Sequence, residues 1–272
     1  MELTTKVDIP DCSFRIEPYE EMLFVGSCFA DAIGRRFQED RFCATVNPFG
    51  VMYNPVSILH TVERSDIAPH TAVFTLGTNH VYRLRSTGQI VDNCQKQPAR
   101  LFQEEELSID DCVDSLTEAV NILSARRADV RVIITLSPIR YAKYGFHGSQ
   151  LSKAKLLLAA EHLVTTMPER CYYFPAYEIV LDELRDYRFY QPDMLHPTAQ
   201  VADYVYERLI DTCFSDKARE FINEWRPIKL AMAHRPLHPD SEEYRRFVQQ
   251  TKDKAAAFEA KWGIGQGKNS EK

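Results

Sequence analysis

Leu23, Phe24 and Val25 form a short unbroken apolar run that stops at Gly26-Ser27. From there Ala30, Ile33 and Phe37 recur at helical spacing, with charged residues between them. The pattern predicts strand, sharp turn, helix, with Ser27 at the helix entrance. A hydroxyl there has two jobs open to it. It can cap free backbone N–H groups, or it can act as a nucleophile beside N–H groups that stabilise an oxyanion.

The same alternation of apolar runs and helical stripes continues along the chain. Phe42–Val46 reads as a second strand, closed by Asn47-Pro48-Phe49-Gly50, and Asn54-Pro55 supplies a cap and a first-turn proline for a helix through Ser57, Ile58 and Leu59. Ala72–Leu76 is a buried strand ending on Gly77-Thr78-Asn79-His80. Val81–Arg85 and Gln89–Val91 flank Ser86-Thr87-Gly88 and predict a β-hairpin inserted beside the main sheet. Ser108 opens a long helix with Cys112, Leu116, Ala119, Val120 and Leu123 on one face. Val130–Leu136 is the strongest strand and ends on Ser137-Pro138-Ile139-Arg140. A loop at Tyr144–Gly148, carrying His147, leads to a helix from about Gln150 to Thr165 and then to a strand at Cys171–Phe174.

Five strands separated mainly by helices predict an α/β protein, a three-layer α/β/α sandwich around a mainly parallel five-stranded sheet. In such sheets ligands bind beyond the carboxyl ends of the strands. Ser27, Gly50, Asn79 and Arg140 all follow strands at that end.

Asp193-Met194-Leu195-His196-Pro197 comes after the last strand and before a helix expected from Pro197 to about Cys213. An Asp and a His three residues apart can face the same way, so that the carboxylate accepts from His Nδ1–H while Nε2 looks into a pocket. Asp193 could equally cap the next helix. Beyond Trp225 the strand–helix rhythm stops, which divides the chain into a main domain at 1–225 and a C-terminal helical extension at 226–272. In the extension Asp240–Glu243 resembles a capping box, and Tyr244, Phe247, Val248, Thr251, Ala255, Phe258 and Trp262 form one stripe. That stripe must be covered, by the body of the same chain or, as the alternative, by a second copy in a homo-oligomer. Gly263–Lys272 reads as a frayed tail.

Composition narrows the function classes. The 272 residues are 44% hydrophobic and 26% charged, enough for a full core, and the formal net charge of -6 disfavours a nucleic-acid partner. The seven cysteines include no C-x-x-C pair and read as reduced thiols; no leader pattern and no membrane-length apolar run is present, so the expected location is the cytoplasm. His234 and His238 are four residues apart, but Pro236 lies between them and the H-E-x-x-H zinc pattern is absent, so no metal and no cofactor are expected. Cys28 at a helix start is a tempting nucleophile, yet it fits a buried small side chain better.

Ser27, Asp193 and His196 together are compatible with Ser-His-Asp acyl transfer on a small-molecule ester. Val25 and Phe29 occupy the glycine positions of a G-x-S-x-G elbow, which disfavours an α/β-hydrolase. Gly26-Ser27-Cys28-Phe29-Ala30, followed by Asn47–Gly50 and Asp193–Pro197, resembles the GSCFA family, related to the SGNH or GDSL-like hydrolases, over roughly residues 20 to 215. The resemblance implies an SGNH-like, flavodoxin-like sheet and a serine esterase. It also implies Ser27 as nucleophile, His196 as base and Asp193 as its orienting acid, with Ser27, Gly50 and Asn79 forming the oxyanion hole. Arg140 and His147 are candidate substrate contacts. An O-acetylated carbohydrate is the substrate class that the resemblance suggests. Two departures stand out: Cys28 replaces the usual acidic residue after the nucleophile, and His80 stands where an Asp is common. They motivate the alternative of a non-catalytic module that binds a carbohydrate or other small ligand on the same scaffold.

Overall fold

The computed structural model describes residues 4–92, 94, 97–238 and 240–264. In chain order the first elements are β1 (Glu21–Gly26), α1 (Cys28–Glu39), β2 (Cys43–Val46), α2 (Pro55–Arg64), β3 (Thr71–Leu76), β4 (His80–Leu84), β5 (Ile90–Val91), β6 (Phe102–Glu106) and α3 (Ile109–Arg126). After them come β7 (Arg131–Leu136), α4 (Gly145–Thr166), β8 (Cys171–Tyr173) and a short α5 (Ala176–Glu178) that runs into a π-helical turn at Ile179–Leu184. Three helices follow: α6 (Ala199–Cys213), α7 (Asp216–Met232) and α8 (Glu242–Trp262).

β1, β2, β3, β7 and β8 form one five-stranded sheet in the order β2-β1-β3-β7-β8, with every pairing parallel. Parallel neighbours need crossovers, and helices supply most of them. The alternation within β1 sorts the layers. Met22 and Phe24 face a cluster with α1, α6, α7 and α8, while Leu23 and Val25 face a cluster with α2, α3 and α4. Both faces are therefore covered, which is why the strand reads as an unbroken apolar run. Fully burying a side chain such as Phe24 contributes about 1.5–3 kcal/mol.

β1 runs on through α1 to β2 on one side and then, through α2, to β3 on the other. The sheet thus has its switch point between β1 and β3, the position beyond the strand ends where ligands bind in sheets of this kind. Ser27 follows one of these two strands and Gly77–Asn79 the other.

The hairpin of β4 and β5 is present, and β6 adds a third antiparallel strand on the other edge of β4. α7 is a further element absent from the sequence expectation: it runs unbroken across residues 225 and 226 with Pro227 inside it. α8 packs on α7 through Phe221 against Trp262 and Trp225 against Phe258, both with ring centroids 5.1 Å apart, so the C-terminal half of its stripe is buried by the same chain. The expected helix at Gln150 starts earlier, at Gly145, and the one expected at Pro197 starts at Ala199. Residues 265–272 of the expected frayed tail lie outside the described residues. No described helix is long and apolar enough to cross a membrane.

Candidate active site

The corner between β1 and α1 is built for a close approach. Gly26 has φ 152, and a Cβ on it would lie 2.3 Å from the Thr75 carbonyl oxygen of β3, so only glycine fits. Ser27 comes next in extended conformation. Its Oγ accepts from the Phe29 N–H at 3.2 Å, and the residue is 0% exposed. The hydroxyl therefore does cap the helix, and it does so at the switch point.

Asn47, which the sequence did not single out, staples this corner. Its Oδ1 accepts from the Gly26 N–H at 2.9 Å and its Nδ2 donates to Asp31 Oδ1 at 2.6 Å. The residue has φ 41, a left-handed conformation that Asn tolerates better than most residues. An asparagine at a strand end was the available signal. Cys28 is half-buried, with Sγ 3.6 Å from the Tyr53 hydroxyl, and burial pushes that tyrosine up to about 12. Tyr141 packs beside Tyr53, and its hydroxyl would be 2.6 Å from a Cβ on Gly77. The two tyrosines thus sit against the residues that follow β1 and β3.

The three expected oxyanion donors all have acceptors of their own. Ser27 N–H donates to Thr75 O at 3.2 Å, Gly50 N–H to Asn47 O at 2.8 Å, and the Asn79 amide to Leu107 O at 2.8 Å. Asn79 is fully buried. Its N–H also donates to Ser152 Oγ, which ties the end of β3 to α4. The Cys28 N–H, one of the unpaired donors of a helix start, has no acceptor among the described residues.

Asp193 and His196 meet directly, with Oδ2 2.6 Å from Nδ1, while Oδ1 accepts from the Leu195 and His196 N–H groups at 2.9 and 3.0 Å. The His196 and Leu195 amides and the imidazole hold the Asp193 carboxyl down at about 2, so at neutral pH it is a pure acceptor. Nδ1 must then carry the proton, which leaves Nε2 of the neutral imidazole as a base. α6 is capped by Thr198, whose Oγ1 accepts from Val201 N–H, and not by Asp193.

The turn is anchored from two directions. Arg140, after β7, donates its N–H to Leu195 O and Nη1 to Met194 O, both at 3.1 Å. Arg36 of α1 holds the start of α6 through Ala199 O and Asp203. Asp193 and His196 are each about two-fifths exposed, and no hydrogen bond joins His196 to Ser27. His147 is on the first turn of α4, not in a loop, and is exposed, with no hydrogen bond to the other site residues. His80 stacks face to face on Tyr144, with centroids 3.6 Å apart.

Lys153 was also missed. It is 2% exposed and donates to Gly77 O and Ser137 O, both at 2.7 Å, at the ends of β3 and β7; desolvation pulls it down to about 7. Lys153, Leu156, Ala160 and Leu163 share one helical stripe, so a lysine at a core position was visible in the spacing. No group of three or more metal-ligating side chains occurs among the described residues.

Residues 21–69 and 67–209 match the model of the GSCFA family. The chain belongs to the GSCFA family. Residues 225–263, the second half of α7 and all of α8, also match the model described as GSCFA domain protein, C-terminal domain. No curated protein matches the chain. Solved structures similar to this GSCFA protein include a carbohydrate esterase family 3 protein from Talaromyces cellulolyticus, at 11% identity and TM-score 0.41, covering 75% of this chain and 99% of that one. Another is a family 3 carbohydrate esterase from Clostridium thermocellum, at 10% identity and TM-score 0.42, covering 79% and 100%. Values this low carry no activity across, and GSCFA membership rests on the sequence match.

Proposed function

We propose that this GSCFA protein is a serine ester hydrolase acting on a small acyl ester, with an O-acetylated carbohydrate as the substrate class. The observation that supports this reading is the Asp193–His196 pair: a carboxylate fixes the imidazole tautomer in a turn that Arg140 ties down beyond the end of β7, and the carboxylate is not spent on capping α6. His196 Nε2 takes the Ser27 proton as Oγ attacks the acyl carbonyl, then returns it to the alcohol as the tetrahedral intermediate collapses. Water repeats the sequence on the acyl-enzyme. The positive end of α1, with the uncommitted Cys28 N–H, is the first donor available to the oxyanion. Ser27, Gly50 and Asn79 contribute theirs by releasing the carbonyls of Thr75, Asn47 and Leu107.

Ser27→Ala tests this reading. Turnover of a short-chain nitrophenyl ester should disappear while the fold persists, and equal activity in the variant removes Ser27 from the mechanism.

A non-catalytic binding module is the second reading, and one observation favours it: Ser27 is fully buried and its hydroxyl is engaged with Phe29 N–H. For hydrolysis, the fully buried Ser27 must become accessible to the acyl group. For a binding module no opening at Ser27 is needed.

A further inference from the structure

Two adjoining cavities lie beside the Asp193–His196 turn, an outer one of about 360 Å³ and an inner one of about 50 Å³, and they share Arg140, Gln150, Leu181 and Tyr190. The inner one is bounded by the basic side chains of Arg140 and Lys153 and by the polar side chains of Ser149, Gln150, Tyr177 and Tyr190; no carboxylate lines it. Arg140 has no carboxylate partner among the described residues. Its hydrogen bonds are the backbone N–H and one Nη1 given to the turn carbonyls, which leaves most of its fork of donors unused.

Lys153 is nine-tenths buried and beyond, with only two carbonyls as acceptors for three donors. A cleft that offers an unpaired guanidinium and no carboxylate favours an anion. In the outer cavity, Asp186 is already engaged by Arg188, through the Arg188 N–H at 2.8 Å and its Nε at 3.3 Å. Over the mouth, the Arg140 guanidinium lies 4.1 Å from the Phe146 ring and 5.6 Å from that of Tyr187, and both rings are more than half exposed. Exposed aromatic faces beside a cavity offer a flat apolar surface to a ligand ring.

We propose that this cleft binds the alcohol half of the substrate as an acidic sugar, with Arg140 taking the sugar carboxylate on its fork and Phe146 and Tyr187 packing on the ring. Lys153 lines the inner cavity beneath. A planar carboxylate suits the guanidinium fork, and a protein of net charge -6 holds such an anion only where cations are concentrated. The assignment of this sugar to an ester rests on the proposed hydrolase; the binding itself does not.

The test uses full-length Ser27→Ala protein, which cannot turn over an ester, titrated calorimetrically with methyl galacturonoside and with methyl galactoside. The uronoside should bind at least tenfold more tightly, and the preference should shrink with added salt. Arg140→Gln in the same background should remove the preference. Phe146→Ala should weaken both sugars and leave the preference in place, which separates the charge contact from general damage to the cleft. Equal affinities, no binding of the uronoside, or a preference that survives Arg140→Gln overturns the proposal. Ester turnover persisting in Ser27→Ala would instead strike the hydrolase reading and leave these affinities to be judged on their own.

Discussion

Asp193 Oδ2 sits 2.6 Å from His196 Nδ1 while Asp193 Oδ1 closes the same turn on two backbone N–H groups. One carboxylate thus shapes the loop and sets the imidazole tautomer. The two jobs separate in Asp193→Asn. The amide oxygen can still accept from Leu195 and His196, but its NH₂ faces Nδ1 and favours the tautomer with the proton on Nε2. Ester turnover should fall by about two to four powers of ten in kcat with the fold retained, and His196→Ala should lose at least as much. The double variant should be little worse than the worse single one, because both act on one proton transfer. Full activity in Asp193→Asn beside an inactive His196→Ala would leave a Ser-His dyad.

Lys153 makes a prediction about pH. Its folded value of about 7 lies below its ordinary 10.5, so between the two the unfolded chain holds the proton that the folded chain has released. Stability from this group therefore rises with pH across that window, and below about 7 both states are charged and the full burial penalty remains. Urea unfolding of the parent and of Lys153→Met should show the parent gaining on the variant from pH 7 towards pH 10. The gain should be at most about 1.4 kcal/mol per pH unit. A difference that stays flat with pH would mean that the ammonium is not desolvated as described.

The Gly26 corner should tolerate no side chain. Gly26→Ala adds a Cβ 2.3 Å from Thr75 O at φ 152, and the β1–β3 pairing leaves no room for either strand to yield. Destabilisation should exceed about 3 kcal/mol, among the larger single-residue effects. A thermal unfolding midpoint close to that of the parent would contradict the close approach.

On the C-terminal helix, Phe258 is 4% exposed and packs on Phe221 and Trp225. Phe258→Ala should destabilise the whole protein by about 3–5 kcal/mol in a single unfolding transition. A separate early transition would mean that α8 unfolds independently of the sheet.

The sheet was legible because its strands are buried on both faces and so appear as continuous apolar runs such as Val132–Leu136, punctuated by glycine or proline. β6 was not, because Gln103–Glu106 is polar throughout and owes its strand state to pairing with β4, across which Arg83 also makes an ion pair with Glu105. α7 carries a readable stripe of Ala218, Phe221, Ile222 and Trp225, but Pro227 reads as a stop although it is inside the helix. Tyr144–Gly148 reads as a loop because of its glycines, yet the helix includes His147. At the site, the Asp193–His196 contact followed from spacing within one turn. The use of the Ser27, Gly50 and Asn79 donors did not, because their acceptors Thr75, Asn47 and Leu107 depend on how separate loops pack.

Whether Ser27 is an activated nucleophile is decided most directly by labelling the intact protein with a fluorophosphonate probe. The account predicts covalent labelling at Ser27 that is absent in Ser27→Ala and strongly reduced in His196→Ala, since the probe reacts with a serine whose proton a base can take. Labelling of the parent that is no greater than that of Ser27→Ala, in protein shown to be folded, would contradict it and leave the fully buried Ser27 as a helix cap alone.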